Sequence, residues 1–321
     1  MKAIIMAGGE GSRLRPLTCT APKPMLRLLD RPLMEYALLL LRRHGIDRIA
    51  ATLGYLPDAV TDYFGDGQDF GVELHYYTER SPLGTAGGVR QARDFLDEPF
   101  VVLSGDGITD LDLSAAWEFH RSRRALATLV LKRVAEPLEY GVVVTDADGR
   151  VRGFYEKPEW RDVLSDTVNT GIYICAPELL ERIPADRPCD FGQELFPALV
   201  RAGEAVYGYV AEAYWGDVGD TRAYLQTHLD ALNGEIQLEP LLACAGKVTV
   251  APGAQVDRSA VLEAPCYIGP EARVYGGAKI GPGSAIGAGA VVRNGATVKR
   301  GVVLPGAELG EIGRASCRER V

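Results

Sequence analysis

Residues 3–24 read A-I-I-M-A-G-G-E-G-S-R-L-R-P-L-T-C-T-A-P-K-P: an apolar run that ends in Gly8, Gly9 and Gly11, with Arg13, Arg15 and Lys23 close behind. Glycines tolerate φ > 0 and let backbone N–H groups approach a polyphosphate without a Cβ clash, while guanidinium and ammonium groups neutralise its charge. The stretch reads as a phosphate cradle flanked by cations. A bare G-G-x-G is as readily a tight strand-to-loop turn, but Arg13 and Pro22-Lys23-Pro24 tip the reading toward phosphate. The dinucleotide fingerprint needs a helix opening at the third glycine, and Pro16 argues against one. The P-loop needs G-K-[ST], which the stretch lacks.

The elements that must hold this cradle alternate. Residues 2–6 and 100–103 read as buried strands, and residues 32–44 as a helix with Pro in its first turn and Gly45 past its end. Ser114 is placed to cap a helix running to about residue 124, with a strand at 127–131 after it. Residues 142–145 and 151–154 flank D-A-D-G, a hairpin signal. The fold class is α/β: an open, mostly parallel mixed sheet flanked by helices. In such a sheet ligands gather at the carboxyl ends of strands, where the glycine turn and Asp106 fall.

From about residue 250 a sixfold period takes over. Val250, Val256, Leu262, Ile268, Val274, Ile280, Ile286, Val292, Val298 and Leu304 are each six apart, and the positions two before them are mostly small, such as Ala254, Cys266, Ala272 and Ser284. The period fits short strands wrapping a parallel β-helix, the aliphatic residue filling the interior and the small one at the tight corner, in about three coils. The spacing resembles that of the left-handed β-helix of hexapeptide proteins.

At 321 residues the chain exceeds one domain, and its net charge of −8 argues against nucleic-acid partners. An anionic ligand must be held by a local cluster of cations. The longest early apolar run, 36–41, is too short for a membrane span, and residues 1–2 lead straight into a strand, so a cytoplasmic protein without a membrane partner is expected. Cys19, Cys175, Cys189, Cys244, Cys266 and Cys317 show no metal spacing, and the four histidines form no pair.

A-G-G-E-G-S-R-L-R-P-L-T with P-K-P-M downstream resembles the signature of the sugar-1-phosphate nucleotidyltransferases. L-G-T-A-G (83–87), S-G-D (104–106), E-Y-G-V-V (139–143), E-K-P (156–158), N-T-G-I-Y (169–173) and Y-W-G-D-V-G-D (214–220) follow in that family's order. The resemblance covers residues 1 to about 235. It implies a Rossmann-like nucleotidyltransferase fold and attack of a sugar 1-phosphate oxygen on the α-phosphorus of a nucleoside triphosphate. That chemistry needs positioning, charge neutralisation and a divalent cation rather than a protein nucleophile.

By the same resemblance Asp106 and Asp217 would hold Mg²⁺, with Asp110 and Asp220 as decoys. Arg13 would meet the triphosphate and Lys23 the reacting phosphates, making Arg13, Lys23 and Asp106 the catalytic set. Ala7, Gly8, Gly9, Glu10, Gly11, Ser12 and Arg13, with Gly84 and Thr85 at the base, would bind the nucleotide. Gly141, Glu156, Lys157, Asn169, Thr170 and Gly171 would bind the sugar phosphate, Glu156 accepting from hydroxyls.

The N-terminal half is most similar to bacterial mannose-1-phosphate guanylyltransferases, which implies GTP, mannose 1-phosphate and GDP-mannose. G-T-A-G stands where thymidylyltransferases tend to carry L-A-Q-A, while Ser104, Gly107 and Arg80 depart from the pattern and bear on substrate preference. The alternatives are a glucose-1-phosphate nucleotidyltransferase using dTTP, UTP, ATP or CTP, or a non-catalytic regulatory subunit, which loss of Arg13, Lys23 or either aspartate would signal. A hexapeptide acyltransferase would need a histidine, and none follows His228.

We expect a catalytic domain over 1–235, a linker over 236–248 and a β-helix over 249–310 that serves structure or homo-oligomerisation. The last eleven residues, E-I-G-R-A-S-C-R-E-R-V, break the period. They resemble a short-read sequencing adapter read in one frame, so 311–321 is expected to be a non-native tail on a truncated β-helix.

Overall fold

The structure, a computed structural model, describes residues 1–310, the side chain of Asp162 apart, and the backbone of 314 and 315. The chain groups into two compact units that do not follow chain order. One comprises Met1–Glu10, Pro22–Pro24 and Ala37–Asp217; the other comprises Gly11–Ala21, Met25–Tyr36 and the chain from Val218 onward.

The first unit is built on a nine-stranded sheet. Its strands are β1 (Lys2–Ala7), β2 (Arg48–Leu53), β3 (Glu73–Thr78), β4 (Phe100–Ser104), β6 (Ala127–Arg133), β7 (Gly141–Thr145), β8 (Val151–Glu156), β9 (Thr167–Cys175) and β10 (Val206–Val210). A separate ladder joins β5 (Gly107–Thr109) to β11 (Trp215–Asp217). The main path runs β8-β7-β9-β4-β1-β2-β3, with β6 against β9 and β10. Pairing is parallel among β4, β1, β2 and β3 and antiparallel around β9.

The expected strands at 2–6, 100–103 and 127–131 are present, each somewhat longer, and D-A-D-G turns the antiparallel β7–β8 hairpin. Ile4, Phe100, Val102 and Leu129 are buried completely, each worth about 2 kcal/mol, so the ends of β1 and β4 are held firmly. Helix α1 (Leu33–Arg43) begins one residue after Pro32, which instead closes a two-residue ladder, Arg27–Leu28 with Arg31–Pro32. Helix α2 (Leu113–Arg123) is capped by Asp112 rather than Ser114. The carboxylate accepts from Ser114 N and Ala115 N, whereas Ser114 Oγ meets His44.

In the second unit, helix α3 (Thr221–Asn233) starts at an Asp220 cap. Three parallel sheets of four short strands follow, beginning at Val248–Val250, Gln255–Val256 and Val261–Leu262. This is the expected β-helix, with two corrections. The small residues Cys266, Ala272, Ala278, Ser284, Ala290 and Ala296 are buried inside with the aliphatic column, just past the corners rather than at them. The column also shifts by one at its end: Val303, not Leu304, pairs with Ile286, because the corner at Lys299 and Arg300 is a residue shorter than that at Gly281, Pro282 and Gly283. The expected tail, 311–321, lies outside the described residues except for the 314–315 backbone, which pairs with Thr297–Val298.

Candidate functional site

Three distant segments converge on one charge cluster in the first unit. Parallel pairing of β1 with β4 brings Ala7 beside Gly105, whose amide bonds Met6 O at 2.9 Å, and so places the glycine turn next to Asp106. The β5–β11 ladder sets Asp217 opposite Gly107, one residue from Asp106. Lys23 Nζ meets Asp106 Oδ2 directly and Asp217 Oδ1 at 3.4 Å. Ser104 Oγ donates to the other Asp106 oxygen, so the departure at Ser104 fixes the carboxylate's rotamer.

Lys23 is only 8% exposed. Burial pulls its pKa down, but Asp106 and then Asp217 outweigh it, so the ammonium titrates above its ordinary value. Among the described residues no three His, Cys, Asp or Glu converge on one point. Two hard carboxylates, Asp106 in the turn between β4 and β5 and Asp217 at the end of β11, nevertheless suit Mg²⁺, which takes one or two protein carboxylates and completes its shell with water and substrate phosphates. The decoys have other work: Asp110 Oδ1 accepts from Tyr214 N at 2.8 Å, and Asp220 caps α3.

The turn itself needs glycine at a position the sequence reading passed over. A Cβ on Gly54, past β2, would lie 2.6 Å from Gly8 O, so the two backbones pack directly. Glu79, just after β3, lies against the same turn. Its Oε1 is 3.6 Å from where a Gly8 Cβ would stand, and its Oε2 accepts from Leu83 N at 3.1 Å. Burial raises its pKa.

Gly84 adopts φ +74, and a Cβ there would sit 2.5 Å from Cys189 O, which takes the amides of Ala86 and Gly87. Thr85 Oγ1 donates to Asp190 Oδ2 at 2.7 Å and accepts from Phe191 N. The hydroxyl is therefore used in joining 84–87 to 189–191.

Around the expected sugar pocket, a Cβ on Gly141 or Gly192 would stand 2.8 Å from Glu156 Oε2, so both glycines make room for that carboxylate. Desolvation, then the Asp190 charge, raises the Glu156 pKa. Asn169 Nδ2 donates to Tyr173 Oη at 2.9 Å and Thr170 Oγ1 to Val130 O at 2.8 Å, while Gly171 faces open space. Trp215 Nε1 donates to Thr170 O at 3.0 Å, tying this irregular stretch of β9 to the strand that carries Asp217. Lys157 is exposed just past β8.

Gly11, Ser12 and Arg13 belong to the second unit. There Ser12–Leu14 form a single 3-10 turn with Arg13 exposed, Leu14 buried and Thr18 Oγ1 bonded to Gly11 O at 2.8 Å. Sequence reasoning missed Glu79, Asp190 and Gly192. Glu79, five residues before Gly84, was the one with a local signal.

Residues 2–234 match the nucleotidyl transferase family, and residues 259–294 match the bacterial transferase hexapeptide repeat. A UTP–glucose-1-phosphate uridylyltransferase of Synechocystis sp. is 40% identical, over 87% of this chain and 76% of that protein. A mannose-1-phosphate guanylyltransferase of Mycobacterium tuberculosis is 36% identical over the same shares. Among solved structures, a Bacillus anthracis protein provisionally assigned as a glucose-1-phosphate thymidylyltransferase, in complex with sucrose, aligns with a TM-score of 0.67. It is 25% identical, over 76% of this chain and 99% of that one.

Proposed function

Because the chain belongs to the nucleotidyl transferase family and is a sugar-phosphate nucleotidyltransferase, we propose that it joins GTP and mannose 1-phosphate into GDP-mannose, releasing pyrophosphate. The observation that carries the reading is Lys23 held between Asp106 and Asp217 beside the glycine turn. The reading assigns the catalytic part to 1–235, the linker to 236–248 and the β-helix to 249–310.

A sugar phosphate is largely ionised at neutral pH, so its oxygen attacks without a protein base. Amides of residues 8–11 receive the triphosphate, Arg13 neutralises the departing pyrophosphate, and Lys23 holds the reacting phosphates together. Asp106 and Asp217 would hold Mg²⁺, which when bound supplies charge neutralisation on the phosphates. Glu156, Asn169 and the Gly171 backbone orient the sugar, with Lys157 at its phosphate.

Glu79 supports GTP. A carboxylate only accepts, and guanine's Watson–Crick edge offers paired N–H donors, whereas uracil offers one N–H flanked by carbonyls. The 40% identity to a uridylyltransferase favours the second reading, UTP with glucose 1-phosphate. Pyrophosphate release with Mg²⁺, pairing each of GTP, UTP, dTTP, ATP and CTP with either sugar phosphate, separates the two. GTP with mannose 1-phosphate is the pair expected; preference for UTP with glucose 1-phosphate would replace it. Glu79→Gln should cut kcat/KM for GTP at least about tenfold while sparing UTP.

The buried thiols of Cys175, Cys189, Cys244 and Cys266 support a reducing, cytoplasmic compartment, and none of the described helices is long and apolar enough to cross a membrane. Exposed Val248, Val250 and Val261 on the β-helix support a homo-oligomer, which light scattering would test.

A further inference from the structure

Lys23 and Asp217 each hand the chain to the second unit within a few residues. Four positions after Lys23 the chain enters the Arg27–Leu28 and Arg31–Pro32 ladder, and three after Asp217 it reaches the Asp220 cap of α3. Inside the second unit these continuations are bonded to each other. Tyr224 Oη donates to Arg27 O at 2.6 Å, and Leu29 N donates to His228 Nε2 at 3.2 Å. His228 Nδ1 completes the set by donating to Tyr224 O at 3.0 Å. Both rings are buried, at 6% and 1% exposure, and pack edge to face at 4.6 Å.

The β-helix backs both partners. A Cβ on Gly283 would come within 2.7 Å of Leu229 Cδ2 on α3, and Tyr267 bonds Asp30 at the tip of the ladder. Leu29 at that tip holds a left-handed φ of 57, a conformation the surrounding bonds must maintain.

We infer that Tyr224 and His228 are positioning residues: by tying the chain beyond Lys23 to the helix beyond Asp217, they set the separation of the Lys23 ammonium from the Asp217 carboxylate. The β-helix then serves turnover as the plate against which this brace is held. His228 must be neutral for the purpose, because Leu29 N–H needs an acceptor at Nε2. The inference rests on the proposed reaction for its kinetic consequence but not for its geometry.

The test compares Tyr224→Phe, His228→Leu and His228→Gln with wild type as full-length chains. Tyr224→Phe keeps the ring and removes one bond. It should stay folded, lower kcat about tenfold, and shift KM for either substrate by less than about threefold. Acylation of Lys23, followed by peptide mapping, should quicken several-fold as the ammonium loosens from its carboxylates. His228→Gln, which retains an acceptor and a donor, should recover most of what His228→Leu loses. Should His228→Leu not fold, Tyr224→Phe decides alone. Folded variants with wild-type kcat and wild-type Lys23 acylation would overturn the brace. If wild type releases no pyrophosphate from any pair, the proposed reaction fails, and the Lys23 acylation rate by itself decides the brace.

Discussion

In the proposed reaction Lys23 would serve both fold and chemistry. Nearly buried, it is tolerable there because Asp106 and Asp217 accept from it, and the same pairing leaves a permanent cation beside the glycine turn. Asp106→Asn should therefore have two effects. Pyrophosphate release should fall by about a hundredfold or more, and stability should drop by about 1–3 kcal/mol, because Lys23 loses its nearest carboxylate. Steady-state assays with thermal melts check both, and normal turnover would remove Asp106 from the site. At this scale Lys23 and Asp106 could be picked out from short patterns. Asp190 and Gly192 could not, because their neighbours Thr85 and Glu156 are remote in sequence.

At the scale of elements the β-helix gives the sharpest comparison. A six-residue period predicted its strands because side-chain direction repeats with the coil, and the prediction held until one residue was missing from a corner. Val303→Ala should cost about 1–2 kcal/mol and Leu304→Ala distinctly less, since Val303 occupies the interior column; equal losses in melts would contradict that register. Ser284 is the hydroxyl among alanines in the small column, and its Oγ, among the described residues, is buried without a partner. Ser284→Ala should raise stability by about 1 kcal/mol, and a lowered melting temperature would indicate a bond partner for that hydroxyl.

For the whole molecule, acid is the expected weakness. Burial lowers the pKa of His120 in the first unit and of His228 in the second to about 4. Unfolding returns each to about 6.5, so between those values the unfolded chain binds more protons. The stability this represents is fully present above pH about 6.5 and lost as pH falls toward 4, up to about 3 kcal/mol per histidine. Melting temperatures from pH 7 to 4.5 should fall steadily, less so in His228→Gln; a flat profile would mean these rings are not held neutral. What the sequence by itself determined was everything with a short repeat or a local spacing: the glycine turn after the first strand, the D-A-D-G hairpin and the sixfold β-helix. Only the tertiary structure decided that Lys23, Asp106 and Asp217 meet, that Asp110 and Asp220 serve as structural acceptors, and that the last coil slips by one. Spacing dictates which way neighbouring side chains point, but residues 194 positions apart are brought together by strand order and packing, which no local pattern encodes.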